Sequence, residues 1–191
     1  METKNEKGRA VTVKVYTQSE LKEINPNAYK KALNKWREDG WIYGWNNEDL
    51  AVRLEETLEE LEPTLKGVKL FFNIYGGQGS GVWFADFTLT EEQLKELVPS
   101  CPSEVARRFS FYVQYKNEYN TLDFDRLFET TDEQDVQAEI VRGQLAGTLC
   151  ELGRKLMREG EKISDRLDSE ERFEDESEER LFFVDGSEYT E

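Results

Sequence analysis

The feature that most constrains this chain is an apolar stripe toward its C-terminal end. Leu145, Leu149, Leu152, Leu156, Ile163 and Leu167 recur at steps of 4, 3, 4, 7 and 4. Those steps return to one side of an α-helix, so they predict a single long helix over residues 132–168. Coiled coils show the same intervals. Gly143, Gly147, Gly153 and Gly160 interrupt the stripe, which favours packing on the protein's own sheet over self-association, leaving a monomer or a dimer.

A helix of that length needs an apolar surface to lie on, and alternating segments supply candidates. Val11, Val13 and Val15 alternate with polar positions, as do Phe109, Phe111, Val113 and Tyr115; period two marks a strand with one face buried. Val68, Leu70, Phe72 and Ile74 lie in a segment apolar on nearly both sides, which predicts a central sheet position. The run Gly76-Gly77-Gln78-Gly79-Ser80-Gly81 then leads into Val82-Trp83-Phe84, a strand–turn–strand pattern. Leu122 and Phe124 are placed to pair back on residues 109–116 across Asn117 to Asn120. Shorter helices are predicted over 26–38, where Asn25 caps and Pro26 suits the first helical position, and over 47–62, ended by Pro63. Thr90 caps a further short helix through Val98.

The expectation is an α+β fold in one domain, residues 1–191. A mostly antiparallel sheet of about five strands (near 11–16, 68–75, 81–88, 109–116 and 180–184) is covered by helices, one of them the long C-terminal helix. Residues 1–9 are expected to fray, and residues 159–191 form a strongly acidic C-terminal segment.

Charge narrows the function. The chain has 25 Lys and Arg, 41 Asp and Glu and no His, for a formal charge of −16. Without imidazole there is no Ser-His-Asp or Cys-His engine and no His metal ligand. Such a balance opposes direct nucleic-acid binding, which draws its affinity from Lys and Arg. No run approaches the roughly 20 apolar residues that span a bilayer. Cys101 and Cys150, with no CxxC spacing, read as buried inert thiols. The glycine loop lacks the Lys of a P-loop and the spacing of a dinucleotide fingerprint. No catalytic residue, metal site or cofactor is therefore expected, although Asp86, Asp123 and Asp125 could meet at a sheet end and bind Mg²⁺.

Two stretches, 45–62 and 159–191, hold 21 of the 41 acids on 51 positions. Acids so arrayed can imitate a phosphate line and fill a basic groove; they also serve plain solubility. Glu55, Glu56, Glu59, Glu60, Glu174, Asp175 and Glu176 are the candidate partner-binding acids. Trp41, Tyr43 and Trp45 are either their aromatic anchors or the lid of a core.

A further pattern combines Ala28-Tyr29-Lys30-Lys31-Ala32-Leu33-Asn34-Lys35-Trp36-Arg37, an aromatic and acidic stretch, the hairpin from Phe72 to Phe84, and Leu167-Asp168-Ser169-Glu170-Glu171 before Phe182-Phe183-Val184-Asp185-Gly186. It resembles a family of small acidic phage and prophage proteins often labelled "antitoxin of toxin–antitoxin stability system". The resemblance spans most of the chain outside residues 95–140; Ser80 stands where the family's hairpin usually has Asp. It implies a phage-encoded accessory protein in the cytoplasm of an infected bacterium. Together with the charge, this gives the expected function: a non-catalytic inhibitor of a host nucleic-acid-directed defence machine, of anti-CRISPR or anti-restriction type, that occupies the basic surface of a host or competitor protein. An antitoxin-like protein neutralising a toxin through an apolar interface is the alternative, and a metal-dependent enzyme using the three aspartates is the second.

Overall fold

The computed structural model describes residues 2–4, 10–12, 14–42, 44–74, 80–116 and 119–190. Among them it is α+β. The strands are β1 (Glu2–Lys4), β2 (Ala10–Thr12), β3 (Leu70–Asn73), β4 (Gly81–Phe84), β5 (Phe87–Thr88), β6 (Phe109–Lys116) and β7 (Tyr119–Arg126). The helices are α1 (Gln18–Ile24), α2 (Pro26–Ile42), α3 (Trp45–Leu61), α4 (Glu91–Leu97), α5 (Ser103–Arg108), α6 (Asp132–Leu167) and α7 (Glu170–Glu176), with a 3₁₀ turn at Pro63–Leu65. The chain packs as two compact units: Met1–Glu48 with Asp165–Glu191, and Asp49–Ser164. Both boundaries fall inside helices, α3 and α6, so no linker or composition shift marks them in the sequence.

In the first unit, Thr17 and Glu20 form a reciprocal capping box that starts α1, satisfying two backbone donors that a helix N-terminus leaves open. The core is Leu21, Ala28, Tyr29, Ala32, Leu33, Phe173 and Phe182, with Tyr16 and Trp36 packed against it. Phe173 of α7 is its centre, within 5.5–6.2 Å (ring centroids) of Trp36, Tyr29 and Phe182. Tyr16 and Phe182 exchange backbone hydrogen bonds of 2.9 and 2.8 Å. Residues 2–4 of the stretch expected to fray pair antiparallel with 10–12.

In the second unit, α6 lays Ala138, Val141, Leu145, Leu149, Leu152, Leu156 and Ile163 inward. Two small antiparallel sheets, β3–β4 and β5–β6–β7, present Val82, Phe84, Phe109, Phe111 and Val113 to the interior. The α3 stripe Leu50, Leu54 and Leu58 is buried with Leu65.

The five-strand sheet is not formed. Strands pair as two, two and three among the described residues. The segment 81–88 breaks at Asp86, so β4 pairs with β3 while β5 pairs with β6. β3 is not central: its one described neighbour is β4, and Phe71 stays exposed although its ring stacks on Tyr115 at 4.3 Å. The expected strand 11–16 reduces to β2 and an isolated bridge from Tyr16 to Phe182; Val13 lies outside the described residues. The strand expected at 180–184 is likewise a single bridged residue, because the chain reverses at Gly186 (φ +85°) and pairs Phe182 with Glu188. Helix α2 runs through Gly40 to Ile42. Asn47 does not cap α3, which already begins at Trp45 after Gly44 (φ +84°). The glycine run Gly76 to Gly79 and the turn residue Asn117 lie outside the described residues; the strands that flank them pair as Asn73–Gly81 and Lys116–Tyr119.

Candidate functional site

Helix α3 carries six acids against one base, Arg53. Its buried stripe turns the opposite side outward, and Val52 (56% exposed), Glu56 and Glu60 lie there, with Arg53 at the edge. The four candidate glutamates divide by role. Glu55 accepts from Lys69 at 2.6 Å and Glu59 pairs with Lys66, so each of those two is matched by a lysine and tied to the segment before β3. Glu56 and Glu60 remain as exposed charge, one helical turn apart.

The acids of α7 belong to the first unit. Glu174 is not a free surface charge: it accepts from Lys22 Nζ at 2.6 Å and from Tyr29 Oη at 2.9 Å. Glu170 meets the same two groups at 2.8 and 2.9 Å. The single Tyr29 proton is thus shared between two carboxylates, and Lys22 balances one of their charges. The ammonium, then the phenol, holds both glutamates below the usual carboxylate range. Burial, and then these carboxylates, push the Tyr29 phenol up. Tyr29 is therefore a neutral donor, and the cluster clamps α1, α2 and α7 together. Glu176 accepts from Arg172 at 2.6 Å and from Trp36 Nε1 at 3.2 Å. Asp175 is exposed.

The aromatic candidates separate as well. Trp41 is half-buried and donates to Asp168 Oδ1 at 2.9 Å, which makes it part of the framework. Trp45 is 58% exposed and Ile42 74%. With Trp36, Phe173 and Phe182, Trp45 lines a cavity of about 160 Å³, below the roughly 300 Å³ at which small-molecule pockets begin. Tyr43 lies outside the described residues. Cys101 is buried, but Cys150 is exposed, against the expectation for both.

The three aspartates do not assemble. Asp123 and Asp125 are exposed on β7, whereas Asp86 lies on the far side of β6, two strand spacings of about 4.8 Å away. Its carboxylate is occupied by the Tyr115 backbone N–H at 2.7 Å. Among the described residues no group of three His, Cys, Asp or Glu could hold a metal ion. No described helix is long and apolar enough to cross a membrane.

Sequence reasoning missed Lys22 and Tyr29 as members of this cluster, and the acids of 170–179, Glu170 among them, were expected to face a partner's basic groove. Only the Thr17-x-x-Glu20 box hinted at the helix that places Lys22. Comparison with protein-family models, with curated proteins and with solved structures finds no match in any of the three.

Proposed function

We propose that the protein is a non-catalytic binder that docks the outer side of α3 on a basic protein surface. On the resemblance to small phage proteins, it acts in the infected bacterium as an inhibitor of nucleic-acid-directed defence, of anti-CRISPR or anti-restriction type. The observation that carries this reading is the pairing of exposed Glu56 and Glu60 with exposed Val52 on one helix side. Charge alone is too sparse: glutamates one turn apart repeat every 6 Å or so, while one DNA strand offers a phosphate about every 3.4 Å. An apolar contact beside the charges supplies what the lower density lacks, and Val52 is placed for it.

The test is plaquing of a targeted phage on bacteria with active CRISPR or restriction immunity. Expression of the protein should raise plaquing, and E56Q/E60Q should reduce that gain at least tenfold. Binding to the machine should weaken between about 0.05 and 0.5 M NaCl, where screening shortens to a few ångströms. Potency unchanged in E56Q/E60Q would overturn the reading.

A second reading, an antitoxin-like apolar interface, draws on Leu127, Phe128 (64% exposed), Val136 and Ile140, all exposed where β7 leads into α6. It predicts a complex indifferent to salt and lost in F128S.

A further inference from the structure

The second unit contains a cleft of about 550 Å³ between β4, β6 and β7 on one side and α6 on the other. That volume is in the range of small-molecule sites, roughly 300–1,000 Å³. Its floor is apolar, with Val82, Phe84, Val113 and Leu122 from the strands facing Leu149 and Met157 of the helix. The helix comes close at Gly153, where a Cβ would lie 3.2 Å from the Val82 carbonyl oxygen. At the mouth, the Trp83 ring lies over Gly81, so near that a Cβ there would be 2.6 Å from it.

The rim carries the informative charges. Arg154 and Arg158 both line the cleft, are exposed, and are spaced i, i+4, so they share one helix side about 5–6 Å apart. Neither makes an ion pair or a hydrogen bond with the described residues. The two lysines nearest them on α6 are paired, Lys155 with Glu151 and Lys162 with Glu159. Two guanidiniums one helical turn apart are thus left available over an apolar cleft. A guanidinium fork suits a carboxylate. Glu161 on the same rim reduces the local balance to +1, which fits a monoanion better than a di- or triphosphate.

We infer that this cleft binds a small amphipathic monocarboxylate, its apolar body between the sheet and α6 and its carboxylate on Arg154 and Arg158. The site uses none of the residues of the α3 surface, so E56Q/E60Q leaves it intact and either reading can fail alone. The test uses anilinonaphthalene sulfonate, an aromatic monoanion, as a fluorescent reporter and decanoate as competitor. Decanoate should displace the reporter and slow maleimide labelling of Cys150, which lines the cleft. Decanol, which lacks the charge, and inorganic phosphate, which lacks the apolar body, should each compete at least tenfold more weakly. R154Q/R158Q should weaken decanoate at least tenfold with the fold unchanged by circular dichroism. A146W, which fills the cleft from α6, should abolish both displacement and Cys150 protection. Equal competition by decanol or phosphate, or unchanged decanoate affinity in R154Q/R158Q, would overturn the assignment.

Discussion

Asn120 binds both backbone groups of Phe84: its Oδ1 accepts from the Phe84 N–H at 2.8 Å and its Nδ2 donates to the Phe84 carbonyl at 2.7 Å. The register explains why they are available. Ala85 donates to Lys69 at 2.8 Å, so Phe84, the residue before it, directs its N–H and C=O away from β3. A side-chain amide on β7 thus takes the place of a further strand and ties the β3–β4 pair to the three-stranded sheet. Because Phe84 is buried, N120A should cost about 1–3 kcal/mol for each group it leaves unpaired. N120D keeps an acceptor for the N–H but sets a carboxylate against the carbonyl oxygen. It should be at least as destabilising as N120A at pH 7 and recover in part when protonated. Urea unfolding and exchange of the Phe84 amide proton measure both effects.

Two left-handed glycines should respond differently to asparagine, the residue that best tolerates positive φ. Gly44 (φ +84°) has nothing within 4 Å of where a Cβ would sit. G44N should therefore cost no more than about 1 kcal/mol. Gly186 (φ +85°) lies against the first turns of α2, and a Cβ there would overlap the Ala28 carbonyl oxygen. G186N should therefore cost clearly more than G44N, since asparagine eases the backbone strain at both sites but not the overlap at Gly186. Thermal melts of the two variants compare them directly.

What the sequence reveals depends on how local the physics is. The stripe of α6 spans many turns and marks its own limits, and the alternation at 109–116 matches β6 residue for residue. Alternation does not say which strand is the neighbour, and so the single sheet was expected where Asp86 divides it. Helix α7 was hidden because its anchor is one aromatic, Phe173, among acids. Charge pairing was hidden for the same reason of range. Arg172 and Glu176 are four residues apart and readable as a helical pair, but Glu174 meets Lys22 across 152 residues and Glu55 meets Lys69 across 14. The acids were visible at once, whereas their partners came only with the fold.

The two cysteines should separate kinetically. Cys150 is exposed on α6, while Cys101 is buried and burial pushes its thiol up; only the thiolate reacts at a useful rate. Titration with a disulfide reagent at pH 8 should consume one thiol rapidly and the second only in denaturant. C150S should abolish the rapid phase. Two equally fast thiols would contradict the burial of Cys101.

The clamp of Lys22, Tyr29, Glu170 and Glu174 predicts a pH dependence with two limbs. Both glutamates hold their protons more weakly in the fold than in the unfolded chain. Their stabilisation is therefore complete above the unfolded carboxyl value, about 4.3, and is lost as pH falls through their lower folded values. Lys22 and Tyr29 are shifted upward. Their contribution is full below the unfolded values near 10 and is lost as pH rises through the folded ones. Lys22 is the largest cause of the shift in both glutamates, ahead of Tyr29, which ranks the variants. K22M should flatten most of the acid limb, whereas Y29F should leave most of it and diminish the alkaline limb. Melting temperatures between pH 3 and 11, with tyrosinate absorbance followed in parallel, read both limbs. An acid limb unchanged in K22M would show that other carboxylates carry it.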